Sequence, residues 1–196
     1  ENILAELIWD ENTYLFIGSL GRSQYRHWLK GRSFRQILES VPCPIFYVRE
    51  ARFPIKKILV CFGGLEHIGS AKKIGLQIGE YTGAEVKFLH VIPPVESDHI
   101  STAKFEEDTE ALVADKPARA LKKAQKDAQV KGVQSNIIVR HGNILNQILE
   151  ELNTEKYDLI CMGSSFSAPD NMRHHYAPNI TAEIAEAVSC PILSTR

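Results

Sequence analysis

The stretch Lys57-Ile58-Leu59-Val60-Cys61-Phe62, followed by Gly63-Gly64, decides the fold. A continuous apolar run that ends in glycines is typical of a strand buried on both faces of a parallel sheet. Downstream of it, segments with helical spacing alternate with further short apolar runs, and the last of these runs spans residues 191–194. The resulting order, βαβαβαβαβ, predicts an α/β protein with a parallel sheet, right-handed crossovers and helices on both faces.

Working outward, short motifs in the first part of the chain recur in the same order in the second part. Val41-Pro42-Cys43-Pro44-Ile45 resembles Val188-Ser189-Cys190-Pro191-Ile192, and residues 14–19 resemble residues 158–164. A repeat of this length is a domain rather than a solenoid unit. We therefore interpret residues 1–52 as the C-terminal part of a first domain and residues 56–196 as a complete second copy. The chain opens at Glu1 without an initiator Met, and we expect a truncated tandem protein.

Composition excludes several classes of protein. The chain has 196 residues, 44% of them hydrophobic and 24% charged, which is the balance of a globular protein with a buried core. Its net charge of −1 gives no overall field that attracts nucleic acid or an anionic membrane. No apolar run approaches the roughly 20 residues of a membrane span, and the N-terminus lacks the pattern of a signal peptide. We expect a cytoplasmic protein that neither binds nucleic acid nor inserts directly into a membrane.

The cysteines point to the same compartment. They are widely spaced, form no Cys-x-x-Cys pair and lie in or beside apolar runs, which favours buried thiols in a reducing environment over structural zinc. Cys61 and Cys161 would form a redox pair if their strands were neighbours and the thiols faced one another, but isolated buried thiols are the favoured interpretation. The four residues are Cys43, Cys61, Cys161 and Cys190.

With these motifs in place, the chain resembles the universal stress protein family over nearly its whole length. The resemblance is carried by Ile58-Leu59-Val60, Leu89-His90-Val91, Gly142, Met162-Gly163-Ser164 and the Cys-Pro that begins the last strand of each copy. It implies a Rossmann-like open parallel sheet of five strands in the order 3-2-1-4-5, preceded by a partial copy of the same fold. It also implies that the last strands of two domains pair. Here the strands of residues 44–48 and 191–194 would pair edge to edge, which would give a homodimer or an intramolecular pseudo-dimer. An unidentified protein partner is expected as well.

ATP-binding members of that family hold the nucleotide at the carboxyl ends of the strands, with a motif of Gly, two residues, Gly, nine residues, Gly and a hydroxyl residue. Glycines suit such a loop because phosphates approach bare backbone N–H groups. The first copy fits with Gly18, Gly21 and Gly31, although Arg32 takes the hydroxyl position and Ser33 comes one place later.

The second copy departs further from the motif. Phe166 and Pro178 stand where glycines are expected, and Gly63 replaces the acidic residue that holds the nucleoside. Phenylalanine adds bulk and proline removes an N–H donor, so the resemblance implies a degenerate nucleotide site in this domain. The candidate nucleotide-contacting residues of the two copies are Gly18, Gly21, Gly31, Ser33, Gly63, Gly142, Gly163, Ser164, Ser165 and Asn179.

Together these observations predict a non-enzymatic stress-response regulatory protein that acts through dimerisation or partner binding and requires no cofactor or metal. The alternative is an ATP- or AMP-binding protein whose crevice holds the ligand through Gly142, Gly163, Ser164, Ser165 and Asn179. A nucleotide-hydrolysing enzyme is disfavoured because no placed base, metal-binding carboxylate pair or phosphate loop is evident in the sequence.

Overall fold

The computed structural model describes residues 13–18, 35, 37–38, 41–62, 68–93, 107–163 and 180–195. These residues form a sheet of seven strands with helices on both faces. The strands are β1 Leu15–Gly18, β2 Ile45–Val48, β3 Lys57–Phe62, β4 Glu85–Ile92, β5 Ser135–His141, β6 Leu159–Gly163 and β7 Ile192–Thr195. The helices are α1 Ile68–Thr82, α2 Glu107–Val130, α3 Ile144–Thr154 and α4 Ile180–Ala187. None of these helices is long and apolar enough to cross a membrane.

The strands lie in the order β1-β2-β7-β6-β3-β4-β5. Every neighbouring pair is parallel except β2 and β7, which are antiparallel. The predicted α/β fold with a mostly parallel, Rossmann-like sheet is confirmed. The predicted number of five strands is wrong, because the sheet has seven. Within it, β3 to β7 lie in the order β5-β4-β3-β6-β7, which corresponds to 3-2-1-4-5. The sheet does not stop at β7, since β2 pairs along that strand with Phe46 opposite Leu193, and β1 extends it further.

The core consists of two apolar layers, one on each face of the sheet. Leu59 and Cys61 pack with buried residues of α3 and α4, whereas Ile58 and Val60 pack with buried residues of α1 and α2. Five of the six residues of β3 are buried. This two-sided burial follows from side chains that alternate between faces along a continuously apolar strand, as the sequence predicts.

The register between β3 and β6 decides the question of the two central cysteines. The strands are neighbours, but Val60 lies opposite Cys161 and Cys61 lies opposite Met162. A shift of one residue turns a side chain to the other face, so the two thiols belong to different core layers and do not face one another. All four cysteines are free and buried, and burial raises the pKa of Cys61 to about 12. The redox pair is therefore excluded, and the interpretation as isolated buried thiols is confirmed.

Two arginines in the segment between β2 and β3 donate hydrogen bonds to backbone carbonyls elsewhere in the fold. Arg49 Nη1 donates to the carbonyl oxygens of Glu186 at 2.8 Å and Val188 at 3.0 Å, at the C-terminal end of α4. Arg52 Nη1 donates to the carbonyl of Tyr157 at 2.6 Å. A cation at a helix C-terminus is favourable because the last carbonyls there lack helical partners. The segment between β2 and β3 is thus held against the end of α4 and the residues that precede β6.

Candidate functional site

The sheet has a topological switch point between β3 and β6. These strands are parallel neighbours, and the chain continues from β3 to β4 on one side and from β6 to β7 on the other. In open α/β sheets such a reversal creates a crevice at the carboxyl ends of the strands. Of the ten candidate residues, the structure describes Gly18, Gly142 and Gly163. The remaining candidates lie outside the described residues, and they are Gly21, Gly31, Ser33, Gly63, Ser164, Ser165 and Asn179.

Gly163 lies at this edge of the sheet and ends β6. Its carbonyl oxygen accepts a hydrogen bond from Thr181 Oγ1 at 3.4 Å, in the first turn of α4. In register it lies opposite Thr195, the last residue of β7. The backbone that leads into the predicted glycine loop is therefore held by α4 on one side and β7 on the other.

Gly142 directly follows β5 at the same ends of the strands, and its backbone conformation explains why glycine occupies this position. Its φ of 133° lies in the region that L side chains rarely adopt, and its N–H donates to the Ile92 carbonyl at 3.0 Å. The next residue, Asn143, caps α3 by accepting a hydrogen bond from the Asn146 N–H at 3.1 Å. Gly142 thus has a structural role in this turn, and contact with a ligand stays a prediction for it.

Gly18 does not join the other two glycines. It ends β1, which is parallel to β2, and β2 runs antiparallel to β7. The chain therefore leaves β1 at one end of the strands and leaves β6 at the opposite end. The two copies of the predicted glycine motif begin at separate edges and cannot build one shared site.

The sequence analysis missed a buried hydroxyl group next to Gly163. Thr195 is 1% exposed, and its Oγ1 makes no hydrogen bond within the part of the chain that the structure describes. Buried polar side chains normally have a partner, so this hydroxyl is available for a hydrogen bond at the carboxyl edge of β7. At the carboxyl ends of β3 and β4, His90 Nδ1 lies 3.3 Å from the Phe62 carbonyl oxygen.

A second polar cluster, also missed from sequence, lies beneath α3 and is centred on Glu151. This carboxylate is 5% exposed and accepts hydrogen bonds from Arg140 Nε at 3.1 Å, Arg140 Nη2 at 2.7 Å and the Tyr157 hydroxyl at 2.5 Å. Burial, followed by the hydrogen bond to Glu151, raises the pKa of Tyr157 far above its ordinary value. The tyrosine therefore stays protonated and acts as a donor.

The cluster continues to Glu155, which bridges two strands. Its carboxylate accepts hydrogen bonds from the ammonium groups of Lys57 on β3 and Lys87 on β4, and the Tyr157 hydroxyl lies 3.2 Å from it. The bonds to Lys57 and then to Lys87 lower the pKa of Glu155 to about 2. We call Lys57, Lys87, Arg140, Glu151, Glu155 and Tyr157 the polar cluster.

The polar cluster does not resemble a catalytic site. Its carboxylates are each bonded to a cation, and neither is poised to accept a proton from a substrate. Lys57 begins β3 and Tyr157 precedes β6, so much of the cluster lies at the amino ends of the strands, opposite the crevice. No group of three or more potential metal ligands occurs among the residues that the structure describes. The cluster is a structural tie between α3 and the sheet.

An open, doubly wound sheet with a strand-end crevice defines the class of Rossmann-like α/β domains. Within that class, the model of the universal stress protein family matches residues 54–196, and the chain belongs to this family. No curated protein matches the chain.

Solved structures of universal stress proteins share the fold. One from Archaeoglobus fulgidus superposes with a TM-score of 0.65 at 16% identity over 93% of this chain, which spans 60% of that protein's length. A putative universal stress protein from Pseudomonas aeruginosa superposes with a TM-score of 0.63 at 12% identity, and the match covers 93% of this chain and 62% of that protein. A universal stress protein in complex with cAMP gives 0.54 at 17% identity, over 72% of this chain and 97% of its own.

Proposed function

We propose that this protein is a tandem-type, non-catalytic regulatory member of the family, in which residues 1–52 belong to a first domain and the crevice of residues 56–196 has lost the family's nucleotide. The single observation that carries the proposal is the sheet, which runs through the antiparallel β2–β7 pair. Two strands that end different domains would meet in this way about a pseudo-two-fold axis. The pair thus supports an intramolecular pseudo-dimer.

The registers on the two sides of this pair agree with such an axis. Gly18 lies opposite Val48 at the ends of β1 and β2, and Gly163 lies opposite Thr195 at the ends of β6 and β7. The glycine that begins each predicted loop therefore takes the same place relative to its neighbouring strand. This correspondence supports the interpretation of residues 13–48 as part of a related domain.

The exposure of equivalent residues supports a first domain that extends beyond β1. Cys161 and Leu193 are fully buried, and Cys161 lies beneath α1. At the equivalent positions of β1 and β2, Phe16 and Phe46 stack with ring centroids 4.6 Å apart, and Phe16 is 68% exposed. An aromatic ring as exposed as Phe16 on a sheet face is typical of a surface that another element covers.

A disulfide cross-link tests the pseudo-dimer. Phe46 and Leu193 are directly opposite in the antiparallel register, so Phe46→Cys combined with Leu193→Cys places two thiols within bridging distance. Oxidation should give a monomeric chain with an internal disulfide, detected by non-reducing electrophoresis and mass spectrometry. Phe16→Cys with Leu193→Cys, whose strands are separated by β2, should not cross-link. A predominantly interchain product from the first variant would replace the pseudo-dimer with a homodimer.

The loss of nucleotide is proposed from the sequence of the loops and is tested by binding. Equilibrium dialysis with ATP, AMP and cAMP should show no stoichiometric uptake, and phosphate release from ATP should stay at background. One adenine nucleotide bound per chain would overturn this part of the proposal, whereas the pseudo-dimer would be unaffected.

The alternative, a nucleotide- or phosphate-binding crevice, is favoured by the Thr195 hydroxyl beside Gly163 and by the relative in complex with cAMP. If a ligand uses that hydroxyl, Thr195→Val should weaken its binding about tenfold, the loss expected for one buried hydrogen bond. Ser194→Ala is the matched control, because Ser194 precedes it on the opposite face of β7. Equal affinity of the Thr195→Val and Ser194→Ala proteins would exclude the hydroxyl as a contact.

A further inference from the structure

The far edge of the sheet, at β5, is open and has a groove beside it. β5 is the last strand in the sheet order and pairs only with β4 among the residues that the structure describes. A groove of about 540 Å³ lies between this strand and α2. Its lining residues are Lys122, Gln125, Lys126, Gln129, Val133 and Ser135.

The backbone of β5 offers hydrogen bonds on its open side. Val86 N–H donates to the Gln134 carbonyl, and Gly142 N–H donates to the Ile92 carbonyl, so even-numbered residues direct their backbone groups to β4. Because these groups alternate along a strand, the N–H and C=O of Ser135, Ile137 and Val139 point away from the sheet. An extended segment added here would find a regular ladder of donors and acceptors.

The side chains of β5 do not protect this edge. Natural edge strands are commonly shielded by charges or proline, whereas the α2-facing side chains of β5 begin with Ser135, Ile137 and Val139. Val139 is 50% exposed. On the opposite face of the strand Arg140 is already bonded to Glu151. The exposed His141 ends the same face of the strand as Val139. An added strand would therefore meet a partly apolar surface at Ile137 and Val139 on the side that faces α2.

The face of α2 that forms the other wall carries two lysines. Lys122 and Lys126 are exposed, are one helical turn apart on the same face as Gln125 and Gln129, and line the groove next to Ser135. Neither lysine makes an ion pair within the described part of the chain. The nearby carboxylate of Asp127 already bonds Lys72 at 2.6 Å. Two lysines without an ion-pair partner beside an open strand favour an acidic occupant over a basic one.

We propose that the groove between α2 and β5 binds an extended acidic segment of a partner protein, which adds as a strand to β5 and places an acidic side chain beside Lys122 and Lys126. On the same face, four residues along, the segment places an aliphatic side chain against Val139. This inference deepens the proposed function by naming the surface and class of the partner. It does not depend on the pseudo-dimer or on the state of the nucleotide crevice.

The probe is a blocked, fluorescently labelled peptide, Asp-Thr-Val-Thr-Val-Thr-Asp, which matches the seven residues of β5. Its palindromic order presents an acid beside Ser135 and a valine beside Val139 in either strand direction. Fluorescence anisotropy with the whole chain should show saturable binding that weakens as NaCl rises, because the lysines are exposed to solvent. A peptide with Asn in place of both Asp residues should bind about tenfold more weakly.

Three variants locate the binding site. Lys122→Glu with Lys126→Glu should weaken binding at least about tenfold, because attraction becomes repulsion. The matched control, Lys73→Glu with Lys156→Glu, changes the net charge equally at exposed lysines outside the groove and should retain the affinity. Val139→Pro removes an outward N–H but no bond of the β4–β5 ladder, and it should abolish binding while the circular dichroism spectrum is unchanged.

Each outcome decides the proposal. If Val139→Pro fails to fold, a peptide N-methylated at its central residues provides the same test on the wild-type chain. Absence of saturable binding, or binding that survives both the charge reversal and the backbone block, would overturn the β5 groove. Self-association of the chain that the same variants abolish would show that a second copy occupies the groove, and would also overturn the proposal. Nucleotide uptake and the Phe46–Leu193 cross-link are measured separately, so failure of the proposed function is distinguishable from failure of this inference.

Discussion

Replacing Arg140 with methionine tests whether the polar cluster holds a buried charge in place. Arg140 supplies two of the three hydrogen bonds that Glu151 accepts, through Nε at 3.1 Å and Nη2 at 2.7 Å. The Tyr157 hydroxyl supplies the third. Glu151 is 5% exposed, so Arg140→Met leaves a carboxylate that is buried and has lost its counter-charge. Methionine retains much of the aliphatic volume of the arginine stem, and the change therefore acts mainly on charge and hydrogen bonding.

The magnitude follows from the burial of the two partners. Removing one member of a buried ion pair costs about 3–5 kcal/mol. The Arg140 side chain is 23% exposed, which gives water some access to the carboxylate, and we therefore expect the lower end, about 3 kcal/mol. A loss of that size lowers the melting temperature by about 6–12 °C for a chain of this length. Equilibrium urea denaturation at pH 7 measures this loss of unfolding free energy directly. An unchanged m value, the dependence of that free energy on urea concentration, would show that the two proteins can be compared as two-state folders.

A double-mutant cycle separates the pair from the individual side chains. Glu151→Leu alone should cost about 2 kcal/mol, and the double variant with Arg140→Met about 3 kcal/mol, because the apolar pair leaves no buried charge. The coupling energy is then about 2 kcal/mol. Lys73→Met, at an exposed position of α1, is the control and should stay within about 0.5 kcal/mol of the wild type. Additive single costs, or an Arg140→Met loss below about 1 kcal/mol, would refute the assignment of a buried, charge-paired Glu151.

Three further predictions concern acid stability, helix packing and the buried thiols. The pKa of Glu155 is lowered from 4.5 to about 2 in the folded state, so the ionised carboxylate stabilises the fold fully above about pH 4.5. This stabilisation is lost as the pH falls towards 2, and the urea midpoints of Glu155→Gln should therefore vary less over this range than those of the wild type. Gly79→Ala should destabilise the protein, because the added Cβ would lie 2.9 Å from a methyl group of Val86. Gly69→Ala, in the same helix, adds its Cβ to open space and should stabilise the protein by up to about 1 kcal/mol. The melting temperatures of the two variants should therefore shift in opposite directions. Native Cys61 and Cys161 should resist iodoacetamide and form no disulfide under mild oxidation, since both are buried on opposite faces of the sheet; mass spectrometry showing their modification at native pH, without unfolding, would contradict this.

The fold was predictable where a local pattern determines it. The apolar run of residues 57–62 indicates a strand buried on both faces, and the structure confirms it. Gly83 follows α1 at φ 71°, with its N–H bonded to the Gly79 carbonyl, as is typical of a glycine that ends a helix. These features depend on side-chain periodicity and on the freedom of glycine at positive φ, both of which are visible within a few residues.

Features that depend on distant partners were not predictable in the same way. Lys57 and Lys87 are 98 and 68 residues from Glu155 in sequence, and nothing local indicates that they converge. Charged residues inside otherwise apolar strands were the available signal, because a charge facing the core requires a partner. The number of strands was wrong for a related reason. The sequence identified β2 and β7 as partners, but their pairing joins two strand sets into one sheet.

The polar cluster and the crevice lie near opposite ends of β3 and β6. Lys57 and Tyr157 lie at the amino ends of β3 and β6, where the cluster ties α3 to the sheet. The candidate loops follow the carboxyl ends of the same strands, five residues or so away along each strand. Residues in the loops that follow β3 and β6 can therefore differ between relatives without altering the contacts of Lys57 and Tyr157.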